Sequence, residues 1–292
     1  MIFYFKIVLA NCFLICLLIH SSIHLIHLNF IYLICFFLQP LSQIDNNCSK
    51  HRWAFFEVLG NWLLLLKLTE VIVNPSKYCY VDNNVTEEDH ASAAVQVIQD
   101  LVEKLSIEDT GEILLQSLGF AAPGHTASVL DLLSDTAASV SFSSTRRKSA
   151  TRLLCFLLKR SAECEIMCIV SPSNGLSATP SYVSNNLYPL RSRMLLMLSA
   201  KFAHIADALY SFRGDGSPEE GVQHPGYKVN KPFSVLRSNL VELVVLLVES
   251  DASIAESISS DLWKELISWL LTYAHNNVYH NFFYRLLFAV LR

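Results

Sequence analysis

The last 62 residues constrain the fold most. From Lys231 to Arg292 the chain reads KPFSVLRSNLVELVVLLVESDASIAESISSDLWKELISWLLTYAHNNVYHNFFYRLLFAVLR, with apolar residues at helical spacing in three successive runs. Val235, Leu236, Leu240, Leu243, Leu246 and Leu247 wind onto one stripe, after a start marked by Pro232 and Ser234. Ser259, Ser260 and Asp261 supply capping oxygens for a second helix that places Leu262, Leu266, Trp269 and Leu270 on one side, with Trp263 at its border. Asn276 and Asn277 make a corner, because asparagine competes for backbone hydrogen bonds and tolerates left-handed conformations. The third run, Phe282 to Leu291, is apolar nearly all round and predicts cover from a neighbour beyond Arg292, as if the sequence were truncated there.

Upstream, from Glu87, the same texture recurs. Ala94, Val95, Val97, Ile98, Leu101, Val102 and Leu105 form a stripe behind Glu87, Glu88 and Asp89, whose charge suits a helix start. Ile113 to Leu118 stops at Gly119; Val129 to Leu133 and Ala150 to Leu158 follow, separated by a polar break at Ser141 to Thr145. Without sustained two-residue alternation the expectation is an all-α protein, an α-solenoid of HEAT or armadillo-like helical repeats, although no internal repeat is legible. Ser171 to Ser184 and Gly214 to Lys231, rich in Gly, Pro and Ser, are expected to be exposed loops in one continuous array.

The order of residues in the C-terminal stretch resembles the SAPS family, the regulatory subunits of phosphatase-6-type serine/threonine phosphatases. Arg237, Val241, Glu242, Leu243, Leu246, Leu247, Leu262, Trp263, Tyr273, Asn276, Asn277 and His280 carry the resemblance. Ser238 departs from it, since the family has an apolar residue after the arginine. Ser128 to Leu158 and Leu187 to Leu209 are similar to the middle of the SAPS domain, where a leucine-rich helix pair precedes a longer helix containing phenylalanine; here Leu190, Leu195, Leu198, Phe202, Ile205 and Leu209 carry that part. The resemblance spans 87–292, as a domain truncated at both ends, and implies a non-catalytic cytoplasmic scaffold in signal transduction. Such a subunit binds a phosphatase catalytic subunit, with further scaffold proteins as additional partners, and directs it to substrates. The pattern residues Arg237, Glu242, Trp263, Asn276, Asn277 and His280 serve either structure or phosphatase binding.

Residues 1–39 differ in kind. They hold one charged side chain, Lys6, and neither glycine nor proline, which helps lift the apolar fraction of the chain to 52% while only 16% is charged. The run is long enough to span a bilayer, giving the alternative of a membrane-anchored helical protein. It fits a signal peptide less well, since the apolar run continues through Phe36 and Phe37. It also has the composition of translated intron, a pyrimidine-rich tract read as protein up to Cys35 to Gln39. Transcripts joining it in frame to upstream coding exons would overturn that last reading. Residues 40–86 are unclassified; Asn47-Cys48-Ser49 and Asn84-Val85-Thr86 have the form of glycosylation acceptors, which matter only outside the cell.

No catalytic motif stands out: there is no phosphate-cradling glycine loop, HExxH or GxSxG, and the expectation is a chain that is not an enzyme and carries no cofactor. A net charge of −4 without a basic block argues against nucleic acid. Cys164 and Cys168 are spaced to share a helix face but lack a second pair, and His20, His24 and His27 lack a completing ligand, so no metal site is expected. Arg146-Arg147-Lys148-Ser149 matches a basophilic kinase substrate, making Ser149 a candidate phosphosite; the plainer reading is a basic, solvated face.

Overall fold

A computed structural model describes residues 65–77, 86–108, 111–121, 127–170, 179–212, 222–223, 228–229 and 232–292. The apolar start, the triplet at Asn47 and the three N-terminal histidines lie outside the described residues. The chain divides into two compact units, Met1–Ala94 and Val95–Arg292, with the boundary inside a helix. In the first unit, α1 covers residues 65–73 and runs into a short 3-10 turn, Pro75–Lys77. Leu65, Leu68 and Ile72 form its buried stripe, while Glu70 pairs with Lys67 and Lys77 on the outside. Among the described residues no helix is long and apolar enough to cross a membrane.

Helix α2, Glu87–Leu105, begins where the acidic cluster predicts it. Asp89 and Thr86 exchange hydrogen bonds at that start, each side chain serving the other's backbone. In the second unit follow α3 (Gly111–Ser117), α4 (Val129–Ala138) and α5 (Ser144–Arg160). Ser128 and Asp131 close a capping box on α4, and Ser143 caps α5.

The protein is mostly helical, as expected, but the first of the expected loops contributes a strand. Glu165–Val170 (β1) pairs antiparallel with Thr179–Ser184 (β2), placing Met167 opposite Tyr182, both exposed. Cys168 therefore sits in a strand, and the helix face it was expected to share with Cys164 does not exist. The signal was the Ile-Met-Cys-Ile-Val run, rich in β-branched residues and followed by a turn-rich segment, which helical neighbours overshadowed. The second expected loop likewise holds two-residue strands, Val222–Gln223 (β3) against Lys228–Val229 (β4). Buried Asn185 fastens the base of the first hairpin, donating to the carbonyls of Arg160 and Glu163 and accepting from the Leu187 N–H.

A second correction concerns the stretch expected as one long helix. It forms α6 (Arg191–Ala200) and α7 (Phe202–Tyr210), after a 3-10 turn at Tyr188–Leu190. The break is at Lys201, with φ −101° and ψ 5°, and its ammonium reaches Asp135 Oδ1 (2.6 Å) and Ser134 Oγ (2.8 Å) on α4. This tertiary tether supplies polar partners at the break without a glycine or proline. The chain ends with α8 (Val235–Ser250), a 3-10 turn (Ala252–Ser257), α9 (Ser260–Thr272) and α10 (Asn277–Val290).

Three of these helices lie side by side in one direction. Helix α8 packs between α5 and α10. Contacts advance along both partners together: Asn239 meets Lys148, and Glu242 meets Lys159, while Phe233 meets Tyr279 and Glu249 meets Arg285. Helix α4 packs on the far side of α5, and α7 lies against both α8 and α9. The core runs through Leu153, Leu154 and Leu157 of α5, Leu240, Leu243, Val244 and Leu247 of α8, and Leu286 of α10, all essentially without solvent contact. At about 25 cal/mol per Å2 of apolar surface removed from water, each such leucine contributes roughly 1.5–3 kcal/mol.

The expectation that the last run needs cover on every side meets a divided helix. Phe282, Phe283, Leu286 and Ala289 are buried, whereas Tyr284, Phe288 and Leu291 face outward.

Candidate functional site

Arg237 is one of two buried arginines among the described residues. Ser234 caps α8 by accepting from the Arg237 backbone N–H at 3.2 Å, which fixes the arginine in the first turn. From there its side chain enters the protein, with 6% of the residue exposed. Its guanidinium carbon lies 4.9 Å from the Trp269 ring centre, 5.1 Å from Phe212, 5.2 Å from Phe233 and 5.4 Å from Tyr273. Nη1 donates to the Tyr273 hydroxyl at 2.5 Å. The negative ring faces offset part of the cost of burying a cation, at up to about 2 kcal/mol for a desolvated pair, though four such terms do not add.

The rings are organised around each other as well. Phe233 meets Tyr273 and Trp269 edge-on, at 5.0 and 5.8 Å between centres, and lies 4.7 Å from Tyr279. Tyr279, fully buried, donates its hydroxyl to the Leu266 carbonyl at 2.6 Å and so ties α10 to α9. Burial pushes that phenol far above its ordinary pKa; Arg237 pulls it down and Glu265 pushes it up.

A second arginine enters from α5. Arg147 is equally buried and donates from Nη2 to the Ala208 carbonyl at 3.3 Å, near the end of α7. Its guanidinium carbon is 5.7 Å from the same Phe212 ring, and burial lowers its pKa. The two distances to Phe212 bound the separation of the guanidiniums at about 11 Å, so their repulsion is roughly 1.5 kcal/mol or more at an effective dielectric of about 20. Neither arginine makes an ion pair with a carboxylate among the described residues, and both Nε atoms are buried without an acceptor. The basic, solvated face expected for Arg146 to Lys148 is thereby corrected at Arg147. Ser149 is corrected too: it is buried within α5, so a kinase cannot reach its hydroxyl in this fold.

The other residues of the sequence pattern occupy separate places. Glu242 pairs with Lys159 at 2.5 Å beside the buried Cys155 thiol, whose pKa is driven up first by burial and then by Glu242, with Lys159 opposing. Trp263 stands edge-on to Phe283 at 6.4 Å. Asn276 caps α10 by accepting from the Tyr279 N–H, and Asn277 is exposed in its first turn. His280 is half-buried beside Tyr279, with a buried Nε2 that has no partner. The structure thus gathers Arg237, Tyr273 and, at the edge through Tyr279, His280; Glu242, Trp263 and Asn277 lie apart from the cage. Sequence reading missed Phe212, Phe233, Tyr279 and Arg147 as members. Aromatic residues bracketing the arginine at 233, 269 and 273 were the available signal.

Chemically, the cluster offers two cations, a hydroxyl and π faces. Among the described residues no group of three or more His, Cys, Asp or Glu side chains is placed to hold a metal ion. Compared with protein-family models, with curated proteins and with solved structures, the chain matches none.

Proposed function

We propose that the protein is a SAPS-like, non-catalytic regulatory subunit of HEAT or armadillo type, which binds a phosphatase-6-type catalytic subunit in the cytoplasm and directs it to substrates. The observation that carries this reading is the ordered pattern from Arg237 through Glu242, Leu262-Trp263 and Tyr273 to Asn276-Asn277 and His280. The side-by-side, same-direction arrangement of α5, α8 and α10, with α9 connecting α8 to α10 along the chain, supports the solenoid part of it. Recruitment on an extended surface is the mechanism: specificity comes from which partners the helical array holds together.

The test is reconstitution of the tagged full-length chain with purified phosphatase-6-type catalytic subunit, alongside recovery from lysate read by mass spectrometry. Saturable binding above the level of an unrelated helical-repeat control is expected. A folded, helical chain that retains no catalytic subunit in either format would overturn the reading.

A further inference from the structure

We propose that Arg147 and Arg237 form a site for a dianionic phosphate group. The inference is independent of the phosphatase reading. Buried charges in proteins are ordinarily paired, because removing an ion from water is costly unless an opposite charge replaces the solvent. Here two guanidiniums, each 6% exposed, touch one ring, and neither has a carboxylate partner among the described residues. Glu265, whose charge reaches the neighbouring Tyr279, makes no ion pair with Arg237. Each arginine carries five N–H donors, yet one hydrogen bond from each side chain reaches a described residue.

The backbone setting deepens the imbalance. Arg147 and Arg237 both occupy the first helical turn or its edge, on neighbouring helices that run in the same direction. Neither helix has an acidic residue in its first turn. The positive poles of two helix dipoles and two cations therefore share one end of the layer, the reverse of what the dipole favours. An anion at that end would satisfy the dipoles and guanidiniums together. Phosphate fits better than a single carboxylate because its charge near neutral pH, about −1.5 to −2, matches two guanidiniums, and its oxygens accept from several directions. Phe212, Phe233 and Tyr273, the rings around the Arg237 guanidinium, are themselves partly exposed.

The test uses the full chain. Its melting temperature is measured in sodium phosphate against sodium chloride at matched ionic strength, then with a phosphoserine peptide against its unphosphorylated form. A saturable rise of about 5–10 °C is expected at a hundredfold excess over Kd, and its loss in the Arg147→Gln, Arg237→Gln double variant. No saturable rise in the unaltered chain, or an equal rise in the double variant, would overturn the proposal. Should the double variant not fold, the Nε–H resonances of 15N-arginine-labelled protein, assigned with the single lysine variants, replace it. Two buried signals are expected to shift with phosphate, and signals that stay put refute the site. Peptide binding at least tenfold tighter than inorganic phosphate identifies a phosphorylated protein as the source; equal affinity identifies the free anion.

Discussion

Replacing Tyr279 tests the architecture of the last three helices, because one buried side chain joins them. Its hydroxyl donates to the Leu266 carbonyl at 2.6 Å, and its ring lies 4.7 Å from Phe233 and 6.3 Å from Trp269. Tyr279→Phe removes the hydrogen bond and keeps the ring. A buried bond of this kind is worth about 1–2 kcal/mol once the desolvated carbonyl left behind is counted. Tyr279→Ala also opens a cavity in a site with no solvent contact, for a total cost of about 3–5 kcal/mol. For a unit of this size each kcal/mol moves the melting temperature by about 2–4 °C. Falls of roughly 2–8 °C and 6–20 °C are therefore expected for the two variants. Urea unfolding followed by far-UV circular dichroism gives the free energies directly if the slope with denaturant is unchanged. A Phe variant within 0.3 kcal/mol of the parent would show that the hydroxyl bond is not desolvated, and an Ala variant costing under about 2 kcal/mol would place the ring outside the core.

Three further outcomes follow from local chemistry. A Cβ at Gly111 would stand 1.7 Å from the Leu105 carbonyl oxygen, so Gly111→Ala must displace backbone between α2 and α3; a loss of at least about 2 kcal/mol in chemical denaturation is expected, and a neutral variant refutes the close approach. Burial keeps the Cys155 thiol protonated well above its ordinary range while Cys164 is exposed, so iodoacetamide at pH 8 should label Cys164 in the folded protein and Cys155 only after unfolding, as read by peptide mass spectrometry. Asp89, Asp131 and Asp251 all have depressed pKa values; at Asp131 burial pushes upward but the Ser128 hydrogen bonds and nearby cations prevail, while Thr86 and Ser253 lower the other two. A depressed carboxylate stabilises above its unfolded pKa, so their contribution should be complete above about pH 5 and fade below 3.8, and Asp131→Asn should flatten the acid limb of the stability curve; an unaltered limb would refute that role.

Most helices were legible because capping chemistry and apolar spacing agreed. Thr86 with Asp89, Ser128, Ser143, Ser234, Ser259 and Asn276 all sit at helix starts, and each places a side-chain oxygen on an orphan N–H. Signals failed where tertiary contacts decided. Lys201 breaks a helix through its tether to α4, and nothing in its own neighbourhood announces this. The β1–β2 pairing depends on the register of two segments, only one of which has strong strand chemistry. The candidate site was half legible. Arg237 stood out, but Arg147 was hidden inside a basic triplet whose solvated reading is the ordinary one, and Tyr279 was passed over between two more conspicuous polar residues, Asn277 and His280.

The placement of the pattern residues bears on how the proposed phosphatase binding would be tested. Arg237 is enclosed by rings, Asn276 holds a helix start, Trp263 packs on Phe283, and Glu242 braces α8 against α5. Substituting any of these perturbs packing or capping as well, so a loss of partner binding in such a variant is read only where the variant is shown to remain folded. Asn277 differs, being exposed beside Val278 on the outward side of α10. Ile267 and Leu271 of α9, and Tyr284 and Phe288 of α10, are exposed as well. Exposed apolar residues are ordinary one at a time; these four can be substituted without opening the core, which makes them clean probes of a partner contact. Residues that make a fold recognisable are those it cannot exchange, whereas a partner is read by the surface those residues hold in place. A binding map should therefore start from Asn277, Ile267, Leu271, Tyr284 and Phe288, with circular dichroism showing that each variant remains folded.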